Sequence, residues 1–283
     1  IHKNDFSFNF QWPDSLMPIS SNLVALERSV MECAWAGCET IWIICNDDVS
    51  PLVRHRIGEL VQDPVWLRKL DTHPSMTRKA IPIFYVPIHP KHRDKLDSFG
   101  WSIIYGSLSV FKIAAKMSTW LIPKRYYVSF PYSVYDPKVV REYRTEISGD
   151  KGFCLSHNGK TIKDGAKLGF TFDKYDFIRY RRVVRNEGKG LYKAPVEGRF
   201  PREMNPIGQR YTARFFTLDK IFASTDVENS TVVDLPWAYS IDNWDDYVRW
   251  MGSEHNGLLK RPNKLFLSYR EWNEIGVDND EDE

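Results

Sequence analysis

Aromatic and polar residues alternate at period two in DFSFNFQW, residues 5–12, a pattern that predicts a strand. A Pro-bounded loop follows. NLVALERSVMECAWAG then switches to a helical period, with Leu23, Leu26, Val30, Cys33 and Ala34 on one face. Asn22 stands where a cap would begin that helix, and Gly37 where a glycine would stop it. TIWIICN is apolar at nearly every position, as expected of a strand buried on both faces. Strand, loop, helix and strand form a βαβ unit, which implies a parallel sheet.

The alternation continues. SPLVRHRIGELV predicts a helix with Ser50 as its cap and Pro51 at its first position. AIPIFYVPI predicts a strand. GWSIIYGSLSVFKIAAKMSTW predicts a long helix with Ile103, Ile104, Leu108, Phe111, Ala114 and Ala115 facing the sheet. KRYYVSF reads as a strand and PKVVREYRTEI as a helix. After Asp150 the texture changes. GFCLSHNGKTI places an Asn-Gly turn between two short runs, a hairpin signal. KLGFTFDKYDFIRYRRVVRNEGKGLYK is aromatic and basic, without one clear period. QRYTARFF and PWAYSI read as strands, TLDKIFAS as a short helix capped by Thr217, and NWDDYVRWM as a helix. The expectation is a single α/β domain over 1–283, three-layered around a mixed sheet, with hairpin insertions in its second half.

Composition narrows the function classes. Hydrophobic residues make up 42% of the 283, enough to build a core, and ten are Trp. A net charge of +2 supplies no global field for nucleic acid or an anionic membrane. No apolar run reaches the ~18 residues of a membrane span, and no signal-peptide core is visible near the start. Cys33, Cys38, Cys45 and Cys154 form no CxxC pair, so free thiols and a cytoplasmic location are expected. DNDEDE reads as a solvated acidic tail. Nucleophilic hydrolase and Walker-type phosphate motifs are missing; NEGKG has neither the leading Gly nor the following Ser or Thr.

In this order, several stretches resemble the sugar nucleotidylyltransferases, of the nucleotide-diphospho-sugar transferase (GT-A-like) fold. PDSLMPI lies where that family has Pro-Lys-Pro-Leu-x-Pro-Val. LERSVMECAWAGCETIWIICND follows its helix, Ala-Gly and strand. SFGWSIIYGSLSVFKIAAK resembles the helix start beside the base and ribose. KRYYVSFPYSVYDP resembles the strand that ends in a metal-binding Gly-Asp. RYTARFFTLDKIF and WAYSIDNWDDY resemble the later Gly-x-Tyr and Asp-x-Gly-Thr-x-x-Asp-Tyr segments. These pieces cover about half the chain. The resemblance implies a Rossmann-like fold, with 1–150 as the nucleotide-binding half and 151–283 as the sugar or acceptor half. It implies a nucleotide or nucleotide sugar as ligand, and transfer of a nucleotidyl or glycosyl group assisted by Mg²⁺. Gly100, Trp101, Ser102, Ser20 and Ser21 are the implied nucleotide contacts, Lys193 the sugar-phosphate contact, and Asp242 and Asp136 the catalytic, metal-binding carboxylates.

The chain departs from the family in its charged equipment. No glycine-rich loop lies between Ile1 and Pro13, and Asp14 stands where the family has its catalytic Lys. An Asp repels charge growing on a phosphate that a Lys would neutralise, a reversal of about 4 kcal/mol per unit charge at ~4 Å and an effective dielectric near 20. The first metal Asp falls near Pro131, five residues before Asp136. A second function class therefore stands beside the first: a catalytically silent relative that serves as a binding or structural module, a viral one included. Individual residues also have plain structural readings. Asp242 can cap a helix, Asp136 can start an Asp-Pro turn, and Trp101 can be buried at a helix start. His89 and His92 in IHPKHRDK read as a solvated loop that can lend charge to a phosphate. A third possibility is single-stranded nucleic acid bound by residues 174–193, where Lys174, Arg179, Arg181, Arg182, Arg185, Lys189 and Lys193 interleave with Tyr175, Phe177, Tyr180 and Tyr192.

Overall fold

The computed structural model describes residues 13–66, 80–88, 99–117, 123–187, 192–193, 196–198, 200–206, 217–262 and 266–267. The strands expected at 5–12 and 209–216, the histidine loop at 89–95, Lys189 and the acidic tail lie outside them.

Two four-stranded mixed sheets carry the fold. The first has the order β12-β4-β5-β3, from Phe266–Leu267, Leu60–Gln62, Ala80–Ile88 and Ile41–Asn46. Here β3 and β5 run parallel, in register from Ile41 with Ile83 to Asn46 with Ile88, and β4 joins β5 antiparallel. The second has the order β10-β8-β9-β6, from Thr231–Asp234, Phe153–Ser156, Phe170–Phe172 and Tyr126–Val128, with β10 and β8 parallel. Two short antiparallel ladders complete the strands. One pairs β1 (Pro18–Ser20) with β2 (Leu23–Val24). The other pairs β7 (Ser133–Val134) with β11 (Tyr239–Ser240).

Helices cover both faces of the first sheet, and the period-two strand pattern explains how. Ile41, Ile43 and Cys45 of β3 point into one core together with Leu26, Val30 and Ala34 of α1 (Ala25–Ala36). Ile44 points the other way, onto α3 (Phe99–Met117), where a β-carbon added at Gly106 would lie 2.5 Å from it. β6 alternates likewise. Tyr127 reaches α1, while the Tyr126 ring packs on Phe111 of α3 with centroids 5.0 Å apart. The result is the expected three-layered α/β arrangement around mixed sheets. A second core lies under α3, α5 (Lys174–Glu187) and α6 (Leu218–Phe222), built from Phe170, Phe172, Phe177, Tyr180 and Phe222.

Several boundaries differ from the pattern. α1 begins at Ala25. Asn22 sits at φ 55 in the β1–β2 turn instead of capping, and Glu27 accepts the Val24 backbone N–H at 2.9 Å. Glu27 is buried and takes further hydrogen bonds from Arg56 and Arg261, which tie the start of α1 to two distant segments. The helix expected over 50–61 stops as α2 (Ser50–Ile57), because Gly58 adopts φ 87 and the following residues enter β4. PKVVREYRTEI is a 3₁₀-helix over Pro137–Tyr143 followed by α4 (Arg144–Ser148). Asn158 and Gly159 make the expected turn with φ 51 and 72, but Thr161 then caps a 3₁₀ turn and no long return strand forms. α7 (Trp244–Met251) is capped by Asn243, whose side chain accepts the Asp246 N–H at 2.9 Å.

Candidate functional site

The β7–β11 ladder fixes the geometry. Val134 pairs with Tyr239 and Ser133 with Ser240, and the Ile241 N–H donates to the Tyr132 carbonyl at 2.8 Å. One step further along, Pro131 comes level with Asp242. At the opposite end Asp136 comes level with Trp237, and the two line a small pocket of about 260 Å³. Asp136 and Asp242 are thus about five extended residues apart, roughly 16 Å. The metal pair expected of them does not form. Asp136 caps the 3₁₀-helix Pro137–Tyr143 by accepting the Lys138 N–H at 3.0 Å.

Asp242 does not cap α7 either. One of its oxygens is ion-paired with Lys167, and the other accepts the Ser240 hydroxyl at 2.7 Å. Lys167 is 17% exposed and Asp242 43%. The Lys167 ammonium also lies 5.5 Å from the ring centroid of Phe99, the first residue of α3. Phe99 in turn meets the ring of Tyr132, with centroids 5.5 Å apart. Asp14, buried in the 3₁₀ turn Asp14–Leu16, stands close enough to Tyr132 that burial first and the Asp14 charge second push its phenol well above the usual range. One spot therefore gathers Asp14, Phe99, Tyr132, Lys167 and Asp242. The family resemblance named Asp242 as a site residue and marked Asp14 only as a departure, and it did not mark Lys167.

Lys167 is held by its neighbours in sequence. Two residues on, Gly169 passes so close to the Tyr127 hydroxyl that an added β-carbon would sit 2.2 Å from it and 2.6 Å from Glu32 Oε1. Glu32 is fully buried. It accepts from Tyr127 at 2.5 Å, Tyr135 at 2.7 Å, Ser129 at 2.5 Å and the Arg28 guanidinium at 2.9 Å. Arg28 is fully buried as well and donates to the Phe130 carbonyl at 2.6 Å. This buried pair locks the β6–β7 connection, Ser129 to Pro131, against α1. The same connection brings Pro131 level with Asp242.

The other predicted contacts are more dispersed. Gly100 is buried, and an added β-carbon would lie 2.2 Å from Ile221 Cδ1, so this glycine lets α3 pack closely on α6. Trp101 packs on the second core. Ser102 is buried and faces a cavity of about 990 Å³ that runs along α3 between β3 and β6, with mostly apolar walls. Ser20 donates to the Leu259 carbonyl at 2.5 Å, beyond the C-terminal end of α7 and away from Asp242, and Ser21 is exposed in the β1–β2 turn. Lys193 is exposed and paired with Glu203 at 2.8 Å.

The implied Mg²⁺ finds a poor donor set at Asp242. Magnesium takes one or two carboxylates together with phosphate oxygens. Here the facing position is Pro131, and both Asp242 oxygens already have partners. Among the described residues, no three His, Cys, Asp or Glu side chains gather as a metal site. No helix among them is long and apolar enough to cross a membrane.

No protein-family model and no curated protein matches the sequence. Among solved structures, the chain is similar to a nucleoside-diphosphate-sugar pyrophosphorylase from Vibrio cholerae RC9, at 10% identity and TM-score 0.43, over 87% of this chain and 93% of that one. It is similar to an apo UDP-glucose pyrophosphorylase at 9% identity and TM-score 0.46, over 87% and 92%. A UDP-glucose pyrophosphorylase from Acinetobacter baumanii matches at 11% identity and TM-score 0.44, over 95% and 92%. These likenesses are coarse.

Proposed function

We propose that the protein binds a nucleotide or nucleotide sugar beside Lys167, at the start of α3, as a nucleotidyltransferase-like protein. One observation carries this reading. A lysine ammonium, mostly withdrawn from water, is held over the first residue of a 19-residue helix. A helix N-terminus carries partial positive charge that favours an anion. A cation over the Phe99 ring adds to that field, and the part-exposed Asp242 is the anion a phosphate would displace. The partly buried Phe99 offers ring surface next to it, backed by the fully buried Tyr132.

Binding without group transfer is the second reading, and Asp14 favours it. A buried carboxylate occupies the place where the resemblance calls for a Lys, and Pro131 the place where it calls for a metal carboxylate.

Thermal-shift measurements with nucleoside triphosphates and nucleotide sugars test the binding. At about 100 times the dissociation constant a ligand stabilises the fold by about 2.7 kcal/mol. A shift is expected for the intact chain and not for Lys167→Met. The ion pair with Asp242 is partly exposed and contributes only about 0–1 kcal/mol, so the unliganded variant keeps nearly the same Tm. Absence of a shift with every nucleotide, or an equal shift in Lys167→Met, would falsify the reading. Pyrophosphate release from a responding triphosphate then separates transfer from binding alone.

A further inference from the structure

Over the second core, the two longer helices α3 and α5 present many cations outward, while the short α6 exposes Asp219 beside Lys220. α3 contains no Asp or Glu at all, and its Lys112 and Lys116 are exposed. α5 packs beside it, with the rings of Phe111 and Phe177 5.0 Å apart. On α5, Lys174, Tyr175, Ile178, Arg181 and Arg182 are exposed. At 100° per residue these five fall within one arc of about 120°. The described carboxylates of this helix are used at its start. Asp173 accepts the N–H groups of Tyr175 and Asp176, and Asp176 is paired with Arg179. Lys112, Lys116, Lys174, Arg181 and Arg182 have no carboxylate partner among the described residues, in a chain whose net charge is only +2. Tyr175 stands among them, 73% exposed.

We propose that this two-helix face binds single-stranded nucleic acid. Unpaired cations along one surface match a phosphodiester chain, and releasing its counterions drives association. Tyr175 offers a free ring on which an unpaired base can stack. A membrane is the poorer match. The apolar side of α5, through Phe177, Tyr180 and Val184, is committed to the core, which leaves little to insert between lipids. A duplex keeps its bases stacked inside and gives Tyr175 nothing to stack on. This inference is independent of the Lys167 site, which lies at the other end of α3.

Fluorescence anisotropy of the full chain with a labelled homopolymeric DNA oligonucleotide, over a salt series, tests it. Binding at low salt is expected, weakening linearly in log[salt]. Arg181→Ala/Arg182→Ala should reduce affinity about tenfold or more and lower the salt slope by about 1.4, at about 0.7 for each phosphate contact on a single strand. Tyr175→Ala should weaken binding about fivefold or more. These side chains are exposed, so circular dichroism and Tm should match the parent. No binding at low salt, or wild-type affinity in the double variant, overturns the proposal. So does tighter binding of a duplex of equal length, or capture by phosphatidylserine vesicles without binding of the oligonucleotide.

Discussion

Glu32 has four donors around one buried carboxylate, and Arg28 has no exposed atom through which water could compensate it. For the guanidinium, burial works against the charge, and Glu32 with Tyr135 more than restores it. Removing one partner of such a pair leaves the other charged in an apolar interior, at a cost of about 3–5 kcal/mol. Glu32→Gln is expected to lower stability by that amount in urea melts; an unchanged midpoint would show that the pair is not what holds the β6–β7 connection. Gly169→Ala presses a methyl into the same network and should cost about 1–3 kcal/mol through overpacking. Sequence pattern could not reveal this network. An i, i+4 Arg–Glu pair on a helix ordinarily reads as a solvated salt bridge, but α1 is buried on nearly every side. Lys167 was equally hidden, since a lone Lys between a 3₁₀ turn and a short strand has no period to mark it. Asp14 and Asp242 were legible because flanking motifs fix their place.

Elements with a strong period were legible, and those ruled by a single backbone torsion were not. β3, β5, α1, α3 and α7 lie close to where hydrophobic spacing puts them. The run after Ser50 reads as one helix to Val61, yet Gly58 ends it and the chain enters a strand. The start of α3 shows how an element's packing can pass for a binding signature. Gly100 looks like a glycine that admits a ligand, but its missing β-carbon makes room for Ile221 of α6. Gly100→Ala should therefore destabilise the fold by about 1–3 kcal/mol with no ligand present. Ile221→Val removes the methyl at 2.2 Å, and by itself costs about 0.5–1.5 kcal/mol. If helix packing is the role of this glycine, the double variant is more stable than the sum of the single effects predicts. Strict additivity, with weakened nucleotide binding in Gly100→Ala alone, would return the glycine to the ligand.

At the scale of the whole molecule, aromatic hydroxyls set the response to pH. Burial pushes Tyr126 up to about 12 and Cys154 up to about 11. Tyr127 and Tyr135 are driven well above their usual range by burial and then by Glu32, and Tyr85 and Tyr180 are raised mainly by burial. All of these are acids whose folded pKa exceeds the unfolded value. Below about pH 8 both states are protonated, and the stabilisation is fully present. Above that, the unfolded chain releases its thiol protons first and its phenol protons from about pH 10, while the native state keeps them. The unfolded state then binds fewer protons, so stability falls as pH rises, by about 1.36 kcal/mol per pH unit for each group in that condition. On the acid side, Asp164 and Asp226 are lowered by hydrogen bonds from Thr161 and Asn229, but both are fully exposed. Their small contribution is present at neutral pH and lost as pH falls. Tm measured across pH should stay nearly flat through neutrality and then drop steeply from about pH 10. In the same window, tyrosinate absorbance should rise together with the loss of circular dichroism in one cooperative step. Gradual titration of every tyrosine near pH 10, with native circular dichroism retained, would mean that water reaches these phenols and that the core drawn around Glu32, Tyr127 and Tyr135 is not closed.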